Sequence, residues 1–155
     1  MKKALGACAV IIAIAGLGIA SMDSNVSAAN KAESPVDIVN AYTSAWNERD
    51  EGARRTLLER AWADDGVYTD PSAEVKGRDA LIKHTGEFAN NPEMKGFSLK
   101  RTSGVDVHHN VLRFDWALVD AAGKTVIAGI DFGVLADDGR LQRITGFFGP
   151  IPDME

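Results

Sequence analysis

Cysteine is almost missing from this chain: Cys8 is the only one in 155 residues. It falls within the opening segment, Met1-Lys2-Lys3 followed by the apolar run Ala4 to Ala20 and a polar stretch ending Val26-Ser27-Ala28. A basic start, an apolar middle and a small-x-small end are the three parts of a secretory signal peptide. Residues 1–28 are therefore expected to be removed after Ala28, and the product to be secreted or periplasmic. The rival reading is a retained anchor, for which 17 residues broken by glycines are slightly short of a bilayer span. Leu5-Gly6-Ala7-Cys8 looks like a lipid-attachment box but precedes the apolar run instead of following it. The exported chain then has no cysteine and no disulfide, although its compartment permits them.

Other scarcities narrow the chemistry. There is no Gly-x-Ser-x-Gly, no phosphate-binding loop and no dinucleotide fingerprint, so neither nucleophilic catalysis nor a nucleotide cofactor is suggested. Histidine occurs only at 84, 108 and 109, with no pair at metal-ligand spacing to a carboxylate, so no metal or other cofactor is expected. Basic residues are outnumbered 17 to 22, and losing Lys2, Lys3 and Asp23 takes the net charge from −5 to −6. That balance argues against nucleic acid, and against stable association with an anionic membrane after cleavage. Removal of 28 residues leaves 127, one domain that buries about two thirds of its surface.

What is present reads as helices first and strands after. Residues 29–34 are expected to be flexible. Ser34-Pro35-Val36-Asp37 is a helix start, with Ile38, Val39, Tyr42, Ala45 and Trp46 on one stripe. Asp50 caps a second helix whose buried face holds Leu57, Leu58, Ala61 and Trp62, ended by Asp64-Asp65-Gly66. Val67-Tyr68-Thr69 is a short strand stopping at Asp70-Pro71, where proline holds Asp70 extended. A third helix opens at Gly77-Arg78-Asp79, carries Leu81, His84, Thr85 and Phe88 on one face and ends at Asn90-Asn91-Pro92. From Phe97 the period is two, giving strands near 97–109 (bent at Gly104), 111–119, 125–135 and 141–148, joined as antiparallel hairpins. Residues 150–155 form a tail. The fold class is α+β: three N-terminal helices packed on a curved, mostly antiparallel sheet.

One residue breaks this pattern. Asp131 lies inside Val126-Ile127-Ala128-Gly129-Ile130-Asp131-Phe132-Gly133-Val134-Leu135, and an unpartnered carboxylate buried there would take up a proton. Asp131 thus faces a polar cavity or is neutral, unless the strand is a sheet edge and the acid meets water. By alternation it shares a face with Ile127, Gly129 and Gly133. The two glycines either clear room for a ligand or merely bend the sheet.

The sequence Trp62-Ala63-Asp64-Asp65-Gly66, Asp70-Pro71, Gly77-Arg78, Asp137-Asp138-Gly139-Arg140-Leu141 and Gly146-Phe147-Phe148-Gly149 resembles the nuclear transport factor 2-like superfamily. Within it the chain is most similar to SnoaL-like proteins, relatives of polyketide cyclases and steroid delta-isomerases. The resemblance spans residues 35–149 and implies a cystatin-like cone or α+β barrel. It also implies two readings of function. One is a pocket for a small, mostly apolar molecule with cofactor-independent acid–base catalysis of isomerase, cyclase or lyase type. The other is a non-catalytic ligand-binding or dimerisation module of the same fold, since relatives often pair through the outer sheet face.

In the steroid isomerase branch the Asp of the Asp-Pro turn is a general base and a strand Asp is a protonated donor. Asp70 matches the first and Asp131 the second. The branch's helical tyrosine falls approximately at Trp46, with Tyr42 one turn earlier, so steroid isomerisation itself is not implied. Two carboxyls in unlike surroundings can divide acid and base roles, although Asp70 could simply cap its turn. Tyr42, Trp46, Tyr68, Trp116 and Phe148 are candidate pocket walls, each with core packing as the plainer alternative. His84 is a wall or rim candidate. His108 and His109, adjacent on a strand, are expected to point to opposite faces, and His109 shares the parity of Val105 and Val107, making it the one to enter the cavity.

Overall fold

Ser34 caps the first helix by accepting a hydrogen bond from the Asp37 backbone N–H, with Pro35 in the first turn where its missing N–H costs nothing. The computed structural model describes residues 33–155; the expected signal segment and its cleavage point lie outside them. Helix α1, Pro35–Ala45, turns Ile38, Val39, Tyr42 and Ala45 inward. Asp50 caps α2, Glu51–Ala61, by accepting from the Ala53 N–H at 2.8 Å.

The expectation that the second helix includes Trp62 and runs on to Asp64-Asp65-Gly66 is corrected. The helix stops at Ala61, and Trp62–Asp70 is one strand, β1, with a register shift between Trp62 and Val67. Two contacts explain the change. Trp62 is fully buried and stacks on Tyr42, ring centroids 5.8 Å apart at 18°. Gly66 lies against the indole, where a Cβ would come within 2.5 Å of Trp62 Nε1. The glycine that reads as a helix breaker is the space the tryptophan ring needs. Asp64, in the same segment, forms ion pairs with Arg78 and Arg140.

β2, Ala73–Lys76, returns antiparallel to β1 through the Asp70-Pro71 turn, in a stretch where the sequence offers no strand signal. α3, Arg78–Asn90, starts after Gly77 at φ +87°, a left-handed conformation suited to glycine. A short 3-10 turn, Pro92–Met94, follows. The strand expected over 97–109 is two pieces, β3, Ser98–Arg101, and β4, Asp106–His108, on either side of Gly104. Both pair with β5, Val111–Val119. β6, Thr125–Leu135, and β7, Leu141–Phe148, complete the sheet.

The spatial order is β2-β1-β7-β6-β5-β3, with β4 also on β5. The β1–β7 pair is parallel and the other pairs are antiparallel, so the sheet is mixed, mostly antiparallel and open. Leu112, Phe114 and Leu118 of β5 point into the core with Leu58, Leu81, Leu141 and Ile144. Each such buried side chain contributes roughly 1.5–3 kcal/mol. Phe132 and Phe147 point the other way and are 44% and 56% exposed. The helices cover one face, and the face away from them carries apolar side chains in the open.

Candidate functional site: two carboxyls in an aromatic cavity

Asp131 lies on an interior strand, β6 running between β5 and β7, so the solvated-edge reading does not apply. Its side chain is 5% exposed. It pairs with Phe114 on one side and Gly146 on the other. In the parallel ladder Thr69 pairs with Thr145, which brings Asp70 alongside Gly146 at the next position. A Cβ on Gly146 would be 2.9 Å from Asp131 Oδ1 and 3.7 Å from Asp70 Cβ. The two acids therefore flank one glycine, about two strand spacings or roughly 10 Å apart at their backbones.

Their surroundings differ. Asp70 Oδ1 accepts from the Ser72 N–H and Oγ–H, each at 2.7 Å, and from the Ala73 N–H at 2.8 Å. Oδ2 accepts from Tyr68 Oη at 2.6 Å. Asp70 thus caps its turn and faces the cavity at once. Partial burial pushes its carboxyl up, but the donors from Tyr68, Ser72 and Ala73 outweigh this and hold it below its ordinary value. Asp131 Oδ1 accepts from Trp116 Nε1 at 2.8 Å, and Tyr42 Oη lies 3.4 Å from Oδ2. Here burial dominates, with the charge of Asp70 adding to it, and the carboxyl is raised to about 6 despite the Trp116 and Tyr42 donors. Burial, reinforced by Asp131, also raises the Tyr42 hydroxyl well above its usual value.

A cavity of about 380 Å³ joins the two acids. Tyr42, Trp46, Tyr68 and Asp131 form its buried end, while Ser72, Glu87, Asn91, Ile127 and Phe148 stand at the exposed rim. Trp116 lines the wall, its ring 6.1 Å from that of Phe148. His84 also lines the cavity, its imidazole edge-on to Trp46 at 5.6 Å and 5.8 Å from Tyr68. Tyr42, rather than Trp46, is the ring that reaches Asp131. Trp46 is held between Tyr42, Tyr68, His84 and Phe88 as a wall.

Two expectations fail. His109 is not in the cavity: it sits with Asn110 in the β4–β5 turn, both at positive φ (47° and 61°), and is exposed. The same turn swings His108 and His109 together, Nδ1 to Nδ1 3.4 Å, where a continuous strand would have set them on opposite faces. Nor do Gly129 and Gly133 open room for a ligand. A Cβ at 129 would be 2.4 Å from Trp116 Cζ2, and one at 133 would be 2.7 Å from Leu112 Cδ1. Gly129 admits the indole that serves Asp131, and Gly133 admits core leucine.

Sequence reasoning missed Gly146, which sits in the Gly-Phe-Phe-Gly segment, and Ser72, which follows the Asp-Pro turn and is a capping residue by type. It also missed Leu99, Leu118 and Ile127, whose apolar side chains carry no signal that separates a cavity wall from a core. Among the described residues no group of three or more His, Cys, Asp or Glu is placed to hold a metal, and no helix is long and apolar enough to cross a membrane.

An open sheet with three helices on one face, and a cavity between them, is the architecture of the nuclear transport factor 2-like proteins. A family model of the SnoaL-like domain matches residues 39–144, and the chain belongs to that family. A crystal structure of a proposed isomerase of the SnoaL-like family from Agrobacterium tumefaciens str. C58 is 31% identical, covering 73% of this chain and 95% of that one, with a TM-score of 0.66. A proposed polyketide cyclase from Sinorhizobium meliloti is 20% identical over 71% of this chain and 93% of its own, with a TM-score of 0.53. A bacterial protein with a cystatin-like fold from Silicibacter pomeroyi DSS-3 is 16% identical over 74% and 75%, with a TM-score of 0.55. The last two bear on the fold alone. A comparison with curated proteins found no match.

Proposed function

We propose that this domain binds a small, mostly apolar molecule and moves a proton on it, as an isomerase or cyclase does, with Asp70 as base and Asp131 as acid. The observation that carries the reading is the pairing of two carboxyls with opposite protonation preferences around Gly146, both lining one aromatic cavity. Asp70 is kept ionised by its donors and can take a proton from carbon. Asp131, protonated in part near neutral pH, addresses the ligand's heteroatom. Tyr42 Oη and Asp131 Oδ2, 3.4 Å apart, are too distant for a strong O–H···O bond and well spaced to meet one ligand atom together. The name of the Agrobacterium relative supports this class of chemistry.

The apolar outer sheet face supports a second element of the proposal, a homodimer. Phe132 and Phe147 form an edge-to-face pair there, 6.2 Å apart, with Val111 and Val134 also exposed. The amino-terminal sequence supports export to a secreted or periplasmic location. Mass spectrometry of the ligand that co-purifies with the protein tests the main reading. Retention and conversion of that ligand should fail in Asp70→Asn and Asp131→Asn variants. Unchanged handling in both would make the acids structural and the domain a simple binding module.

A further inference from the structure

We infer that the ligand atom on which Asp131 acts is a basic nitrogen, so that the ligand is a cyclic or aromatic imine-type base held as its cation. The inference rests on the proton-transfer reading above and adds the ligand's chemical class.

Asp131 has a hydrogen-bonding neighbour at each carboxyl oxygen. Trp116 Nε1 and Tyr42 Oη address its two oxygens separately. An indole N–H can only donate, so Oδ1 is committed as an acceptor in either protonation state. The Trp116 donor thus remains available to the anion left once the proton has gone, and offsets part of the cost of burying it. A carboxylate so deeply buried calls for a counter-charge.

Among the described residues no Lys or Arg lines the cavity. Asp70, the second carboxylate, is served by Tyr68, Ser72 and Ala73, all neutral. Glu87 at the rim is already paired with Lys83 at 3.0 Å, both exposed. Among the described residues His84 is the one basic side chain in the lining, and its ring packs against Trp46 and Tyr68. An acidic ligand would add a further negative charge to this wall. An aromatic lining that includes Trp46, Tyr68 and Trp116 suits a cation better. A carbonyl oxygen is too weak a base to keep a proton from a carboxylic acid, whereas an imine or ring nitrogen of similar basicity takes it.

The proton inventory closes without an oxidant or a second reactant. Asp131 gives its proton to the C=N nitrogen and becomes the carboxylate that Trp116 and Tyr42 hold. The cationic C=N then acidifies the neighbouring C–H. Asp70 removes that proton; the C–H electron pair becomes a C=C bond and the C=N pair moves to nitrogen, giving the enamine. Where the ligand carries a C=C conjugated with that carbon the product is a dienamine: Asp70 returns the proton to its far carbon, the nitrogen pair re-forms C=N as the double bond shifts, and the N–H proton goes back to Asp131, which completes an isomerisation.

Three probes of similar size and unlike charge test this: quinaldine, a ring-nitrogen base; tetralone, a ketone; and naphthoate, an anion. Binding is followed by the fluorescence of the cavity tryptophans, and the protonation state of quinaldine by its own absorption spectrum. The expected result is that quinaldine binds about tenfold more tightly than tetralone, and naphthoate more weakly than either. At about pH 7.5, where free quinaldine is neutral, the bound form should show the spectrum of its cation. Asp131→Asn should abolish both the preference and the cation spectrum. Trp116→Phe, which keeps the acid and removes the donor, should reduce the cation fraction. Tetralone binding as tightly as quinaldine, or bound quinaldine remaining neutral, overturns the inference and leaves proton transfer on a carbonyl standing. Absence of binding by all three probes, or indifference of binding to both Asp70→Asn and Asp131→Asn, overturns the proton-transfer reading as well.

Discussion

Gly146 faces Asp131 across the β6–β7 ladder, and a methyl group on it would press to within 2.9 Å of the carboxylate. Gly146→Ala therefore forces the acid, not the sheet, to move. The expected cost is about 1–3 kcal/mol of stability, together with loss of ligand binding. Thermal unfolding and tryptophan fluorescence titration read the two effects separately.

Trp116→Phe removes the indole donor from Asp131 Oδ1 while keeping most of the ring. A donor to the charged form lowers a carboxyl pKa, so its loss should raise that of Asp131 above about 6. Carbon-13 NMR titration of the carboxyl measures this, and an unchanged midpoint would count against the hydrogen bond's role.

The raised Asp131 carboxyl makes the fold less stable as pH rises. Between the unfolded value of 3.8 and the folded value of about 6 the native state holds the extra proton. Its contribution to stability is full below the lower value and lost by the upper, a change of roughly 3 kcal/mol. Asp70 works with the opposite sign, its held-down carboxyl contributing stability that is lost as pH falls. Urea unfolding of Asp131→Asn across pH 4 to 7 should show stability falling less with pH than in the parent, by about that amount.

Tyr68→Phe takes away the hydroxyl 2.6 Å from Asp70 Oδ2 and leaves the Ser72 and Ala73 donors in place. The Asp70 carboxyl should rise, and the acid limb of any activity profile should move to higher pH with it. A limb that stays in place would remove Asp70 from the role of base.

Phe147→Lys places a charge in the middle of the exposed sheet face opposite the cavity. If that face joins two copies, sedimentation should show monomers while the isolated pocket still binds its ligand. An unaltered sedimentation profile would move the interface elsewhere.

Much of this arrangement is legible in the amino-acid order, and the exceptions have physical reasons. The Ser34-Pro35 start, the Asp50 cap and the alternation through residues 111–119 are local signals obeyed locally. Asp131 stands out because an acid in an apolar strand needs a partner, and it has Trp116 and Tyr42. Trp62, Gly66, Gly129 and Gly133 are misread because what each glycine makes room for is a ring or a leucine distant in sequence or unforeseeable in orientation. His109 is misread because two positive-φ residues turn a strand pattern into a hairpin tip. Gly146 is invisible alone; it acquires meaning only from the two strands that bring Asp70 and Asp131 to its sides.

Deuterium incorporation at the carbon beside the C=N of quinaldine or the C=O of tetralone, followed by proton NMR in heavy water, tests the acid–base account most directly. The wild-type protein should accelerate exchange on at least one of these carbons, and Asp70→Asn, though folded, should lose about a hundredfold or more of that acceleration. Exchange by Asp70→Asn at the wild-type rate, or no acceleration by the wild type on either compound, would contradict it.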